Sequence, residues 1–157
     1  MKMKYFLTSI VIILLLGYAY IITFFNKKSI LCDSEQIITV SNSKEEAKLD
    51  ALYSLIFNHD NTGLLRAVGA VSINGEYYGL NRVLHFNYVK ERSGKMYKFT
   101  ITEEKINRAD TLSTELFHTY FLPEKPGDSF FAGIKNLNDN AIFVRGLTYP
   151  YFICKTH

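Results

Sequence analysis

The sequence predicts an α+β protein: one N-terminal transmembrane helix, then a small domain with an antiparallel sheet of about six strands and one main helix. Three observations predict it. An uncharged apolar stretch fills residues 5–25, apolar side chains alternate in strand fashion through most of the chain beyond residue 34, and helical spacing appears after residue 110.

Tyr5 to Phe25 contains no charged residue. About 20 apolar residues, rising ~1.5 Å each, cross a hydrocarbon layer of ~30 Å. Tyr5, Tyr18, Tyr20 and the Phe24-Phe25 pair suit the interfaces. A cleaved secretory signal is the competing reading, with Lys2 and Lys4 leading, Leu7 to Leu16 as its apolar core and Gly17-Tyr18-Ala19 as the cleavage site. The chain stays apolar for six residues after Ala19, which favours an uncleaved anchor. A lipoprotein fits poorly, because Leu31 stands before Cys32 where a small residue is needed. The organisation read from the sequence is therefore a short start at 1–4, the span at 5–25, a linker at 26–34 and a domain at 35–157.

Orientation rests on two weak arguments that agree. Lys2, Lys4 and the terminal amine precede the span, against Lys27 and Lys28 after it. Cys32 and Cys154 are the two cysteines, without CxxC spacing, and they bracket the whole domain. A lone bracketing pair reads as one structural disulfide in an oxidising compartment, with two unrelated buried thiols as the alternative. Both arguments place the N-terminus in the cytoplasm of a bacterium and the domain in the periplasm. Lys2 and Lys4 aside, basic and acidic residues nearly balance, so the domain has no basic footprint for nucleic acid.

Along the domain, Ile37-Ile38-Thr39-Val40 is a β-branched run suited to a strand. Ser43 to Asn58 is ambiguous: Ser43 and Glu46 resemble a capping box, yet Leu49, Ala51, Tyr53, Leu55 and Phe57 alternate. A strand is favoured for Leu52 to Asn58. Leu64 to Ile73 and Glu76 to Glu91 form a hairpin about Asn74-Gly75, with Gly79 as a possible bend. Lys95 to Thr102 continues the meander, presenting Tyr97, Phe99 and Ile101 on one face. The main helix follows, capped by Asp110 or Thr111 and carrying Leu112, Leu116, Tyr120 and Phe121 as an apolar stripe that ends at Pro123. Ser129 to Asn136 and Ala141 to Leu147 are the last two strands, and Tyr149 to Cys154 closes the domain.

No motif carries catalytic or nucleotide chemistry: HExxH, GxSxG, a P-loop and GxGxxG after a strand are all missing. The chain reads as a non-enzyme with no cofactor and no metal site. Glu103-Glu104 is a carboxylate pair whose members point to opposite faces of a strand, and it reads as a solvated edge. His59, His85, His118 and His157 are scattered, so a metal site would need coincident placement in three dimensions. His85 and His118 are the candidates for pH sensing, weighed against half-buried structural histidines. The 11 Tyr and 12 Phe, including Tyr149, Tyr151 and Phe152, read first as core.

Ile73-Asn74-Gly75-Glu76-Tyr77-Tyr78-Gly79-Leu80-Asn81-Arg82, with His85-Phe86-Asn87-Tyr88 after it, resembles the central hairpin of the FidL-like membrane proteins of enterobacteria. The ending Pro150-Tyr151-Phe152-Ile153-Cys154 is similar to that family's aromatic-and-cysteine close. The chain as a whole also resembles the MyfF and PsaF group of small membrane proteins that assist fimbrial gene activation. This resemblance implies a regulatory accessory protein of the inner membrane. Its periplasmic domain would bind and stabilise a membrane-bound, winged-helix transcription activator of the ToxR type, in the manner of a ToxS-like helper. The competing reading is a periplasmic envelope or fimbrial-assembly module that receives a client strand at an open sheet edge.

Overall fold

The computed structural model describes residues 12–18, 20, 29–41, 45–92, 94–138, 140–147 and 150–157. A short helix, α1, takes up residues 12–18 and 20. Eight antiparallel strands follow: β1 (Ile30–Ser41), β2 (Glu46–Phe57), β3 (Thr62–Ile73), β4 (Glu76–Lys90), β5 (Tyr97–Ile106), β6 (Ser129–Asn138), β7 (Ala141–Arg145) and β8 (Pro150–Thr156). A second helix, α2 (Thr114–Tyr120), lies between β5 and β6. Each strand pairs with its sequence neighbour, and β1 pairs with β8, so the sheet closes into a barrel.

The expected α+β class, with a sheet of about six strands and one main helix, is overturned. The fold is mostly β, and its eight strands close on themselves. Among the described residues no helix is long and apolar enough to cross a membrane. Of the expected span, residues 12–18 and 20 are helical, and the rest lies outside the described residues. Two strand readings account for most of the difference. The ambiguous stretch after residue 45 is strand throughout, with Ala47, Leu49, Ala51, Leu55 and Phe57 buried on the inner face. The strand expected around Ile37-Ile38-Thr39-Val40 begins at Ile30, inside the linker read at 26–34, because it pairs residue for residue with β2 from Ile30↔Phe57 to Ser41↔Glu46.

The β3–β4 hairpin turns as its sequence requires. Asn74 and Gly75 have φ of 51° and 87°, a left-handed pair that fits a type I′ turn, and the Asn74 side chain accepts a hydrogen bond from the Glu46 N–H at 2.9 Å. Gly79 does not bend β4, which runs unbroken through it.

The interior is packed in two layers, as eight strands leave room for side chains and little else. At one end Leu49, Val71, Leu80, Leu84 and Ile101 pack with Leu112 and Phe117 from the β5–β6 connection. At the other, Phe57, Phe86 and Phe99 pack with Ile142, Val144 and the two cysteines. Closure is uneven. β1 is 12 residues long, yet it pairs with β8 only at Cys32↔Thr156 and Asp33↔Lys155. Likewise β5 pairs with β6 only from Tyr97 to Thr100. The segment carrying α2 packs inside the long strands at the end that the short strands do not reach.

Candidate functional site, a buried ion-pair network beneath the second helix

Along β4, Leu80, Arg82 and Leu84 all face inward, so strand parity alone delivers a guanidinium to the core. Arg82 is fully buried. An isolated buried charge is too costly to persist, and four groups compensate this one. Its Nε donates to Asp110 Oδ2 at 2.8 Å and Nη2 to Asp110 Oδ1 at 3.1 Å, a bidentate pair. Nη1 donates to Glu104 Oε1 at 2.9 Å, and Nη2 also donates to the Leu112 carbonyl. The Phe117 ring lies 4.6 Å from the guanidinium carbon. Burial pulls the Arg82 pKa down, but the hydrogen bonds to Asp110 and Glu104 outweigh it and leave the pKa above its ordinary value.

Asp110, expected as a helix cap, is instead the hub of this network. It also accepts the backbone N–H of Asn81 at 2.9 Å and of Leu112 at 3.1 Å. The cap of α2 is Ser113, whose hydroxyl accepts the Leu116 N–H at 3.3 Å. Thr111 receives the Gly79 N–H at 2.8 Å, which ties the loop to β4.

Glu103 and Glu104 do point to opposite faces, but they do not form a solvated edge. Glu103 is exposed beside Lys105 at 3.1 Å, whereas the Glu104 side chain is 6% exposed. A bulge decides which of the two turns inward. β5 pairs Ile101 with Phe86 and then Glu103 with His85, so Thr102 is skipped and the parity of Tyr97, Phe99 and Ile101 passes to Glu104.

The second Glu104 oxygen lies 3.0 Å from His118 Nε2. His118 Nδ1 faces the Leu122 carbonyl, and the ring is buried against Phe117. Both ring nitrogens thus meet oxygen atoms. The other pH candidate is not part of this network: His85 is half-buried on the outer face, paired across the sheet with Leu64 and Glu103. His157 lies 3.2 Å from Asp33 at the barrel seam, and no cluster of three metal-ligating side chains occurs among the described residues.

Cys32 and Cys154 are bonded to each other across 122 positions of sequence. Both are buried, and they join β1 to β8 next to the two residue pairs that close the barrel. Beyond this staple Ser34 donates its hydroxyl hydrogen to the Ile153 carbonyl at 2.7 Å. From Gln36 to Ser41 no strand among the described residues pairs with the outer edge of β1. Ile37 is exposed there. Among the aromatics, Phe57, Phe86 and Phe99 are core, Tyr151 is half-exposed against Phe130, and Tyr149 lies outside the described residues.

Arg82 lies within the resemblance motif, yet its inward parity between two leucines is the signal that could have singled it out. These features define a small disulfide-stapled β-barrel whose helix is clamped by a buried Arg-Asp-Glu-His network. The chain matches the profile of the FidL-like putative membrane protein family over residues 69–154, and it belongs to that family. A search of curated proteins finds no match. The matched region includes the end of β3 from Gly69, all of β4 and every member of the buried network.

Proposed function

We propose that the barrel is the periplasmic domain of a regulatory accessory protein that binds and stabilises a membrane-bound, ToxR-type winged-helix activator of fimbrial or virulence genes. The chain passes the bacterial inner membrane once through residues 5–25, with its N-terminus in the cytoplasm. Membership of a family of membrane proteins supports the attachment. So does the exposed apolar run from Ile12 to Leu16, five consecutive large aliphatic residues that the barrel does not cover. The Cys32–Cys154 bond suits an oxidising compartment.

The observation that carries partner binding is the open edge of β1. Among the described residues, Gln36 to Ser41 pair with a strand on the β2 side only; β5 also lacks a second partner strand beyond Thr100, but there Gly127 and Asp128 bond to Ile101. An edge of this kind accepts an extended segment by main-chain hydrogen bonds, with Ile37 on the outer face beside it. By binding the active conformer of the activator preferentially, the barrel stabilises that conformer as RT ln(1 + [L]/Kd). Anchoring both proteins in one membrane raises their effective concentration. Acid sensing through His118, or through His85, is a refinement of this reading.

The same edge supports a second reading, a chaperone-like module for fimbrial or envelope subunits. A pull-down of the tagged full chain from host membranes, with mass spectrometry, separates the two. Recovery of a single-span winged-helix activator, lost when Ile37→Pro blocks the β1 edge, supports the accessory role. Recovery of secreted subunits without an activator supports assembly. If His118→Gln and His85→Gln both leave the pH response of the target genes unchanged, the sensing refinement is wrong.

A further inference from the structure

The two ends of the barrel differ in charge, and the chain enters at one of them. β1 begins at Ile30, at the end formed by the β2–β3, β4–β5 and β6–β7 connections and the close of β8. This rim bears exposed Lys90, Arg92, Lys95, Lys98, Lys135 and Lys155. Against them stand Asp60, Glu91 and, in sequence, Asp139, while Asp33 is paired with His157. Exposed apolar side chains accompany the cations: Ile30 at 47%, Val89 at 64% and Leu137 at 48%. Ile30 and Leu137 border a shallow open hollow with Ile142 and His157. The opposite end mixes exposed Glu45, Glu46, Glu76 and Glu115 with exposed Lys48, Arg108 and Lys125, so it carries no comparable cationic excess.

We infer that this basic, apolar-tipped rim rests on the surface of an anionic phospholipid bilayer, and so fixes the barrel with its helix-bearing end away from the membrane. The inference rests on the reading of residues 5–25 as a membrane anchor and deepens it. Chain length keeps the rim near the membrane surface. Phe25 and Ile30 are five residues apart, so even a fully extended connection spans at most ~18 Å. With Lys27 and Lys28 inside that connection, the rim cations sit within one or two Debye lengths of the headgroups, at ~8–10 Å each. Cations attract anionic headgroups and neighbouring apolar tips insert among them, the two contributions that hold interfacial surfaces to membranes. The orientation also leaves the β1 edge, which runs from the rim at Ile30 toward Ser41, pointing away from the lipid.

The chain has no Trp, so a single introduced one reports on its own surroundings. L137W places it on the rim and Y77W at the far hairpin, where Tyr77 is 83% exposed. Each full-length variant is reconstituted into vesicles of brominated phosphatidylcholine, with or without phosphatidylglycerol. The expected result is that L137W is quenched about twofold more strongly in the anionic vesicles, that the excess disappears at about 0.5 M salt, and that Y77W is unquenched in both. Adding K90E, R92E and K95E to L137W should remove the excess without salt. Equal quenching of L137W in both vesicle types, in a chain that resists carbonate extraction, overturns the rim contact and leaves the anchor standing. A chain that carbonate extracts overturns the anchor reading, and the rim contact with it.

Discussion

Arg82→Ala leaves Asp110 and Glu104 facing each other in the core with no cation between them. Removing one partner of a buried ion pair costs about 3–5 kcal/mol, because the uncompensated charge remains. The expected outcome is a urea midpoint far below that of the parent. A triple exchange of Arg82→Met, Glu104→Gln and Asp110→Asn removes every charge of the pair at similar volume, and it should recover most of the loss. Tyr53 gives a second prediction. Its ring is stacked on Phe152 at 6.2 Å, and burial pushes its pKa up to about 12 from the ordinary tyrosine value of 10.0. The group is raised on folding, so its contribution is complete below pH 10 and falls as pH climbs from 10 toward 12. The fall is at most about 1.4 kcal/mol per pH unit. Unfolding measured at pH 9 and pH 11.5 should show a smaller decline for Tyr53→Phe than for the parent, with Tyr88 and Tyr151, also raised by burial, accounting for part of what remains. Single residues were only half legible in the sequence. The inward side of Arg82 follows from its neighbours Leu80 and Leu84, but Glu104 faces inward because of a bulge at Thr102 that no local pattern announces.

Strand periodicity was the most legible level: β3 and β4 fall where alternation and the Asn74-Gly75 turn place them, while β5 runs past its expected end at Thr102 to Ile106. β2 was harder, because Ala47, Ala51 and Leu55 satisfy helical and strand spacing alike, and the decision is made by pairing on both sides with β1 and β3. The small residues that blurred the pattern have a structural use. Ala47, Ala51 and Ala67 are buried in the cluster that also receives Leu112 and Phe117. Gly69, opposite Ala51, has no space at all: a Cβ there would lie 2.1 Å from the Asp50 carbonyl oxygen and 2.6 Å from the Ala51 Cα. Those contacts are backbone and cannot rotate away. Gly69→Ala is therefore expected to push β2 from β3 and to destabilise the barrel by about 1–3 kcal/mol or more. Gly75→Ala meets no atom and suffers only from its φ of 87°, so it should cost about 1 kcal/mol. Denaturation of both variants tests the order; a Gly69→Ala protein as stable as Gly75→Ala would mean that the two strands can separate freely.

Closure of the whole barrel was not legible, since it depends on β1 meeting β8 over two residue pairs that lie at opposite ends of the chain. What the sequence does hold is the staple. Cys32 and Cys154 bracket the domain, and the structure sets their bond at the seam, where main-chain pairing is thinnest. Two consequences follow from this placement. Cross-linking positions separated by 122 residues removes freedom from the unfolded chain worth roughly 4–5 kcal/mol in the entropic account. Locally, the seam loses its covalent closure and retains the two ladder pairs, the Ser34 bond to Ile153 and the His157 contact with Asp33. The double exchange Cys32→Ser and Cys154→Ser should thus lower global stability by several kcal/mol. Hydrogen exchange should rise first in β8 and in the start of β1, well before the β2–β4 meander, whose strands pair over eleven or twelve residues each. Uniform acceleration across all strands would show that the barrel opens only as a unit. Loss confined to β8 and the start of β1 would make the seam a separate, weaker door, next to the same β1 edge that the accessory role assigns to the partner.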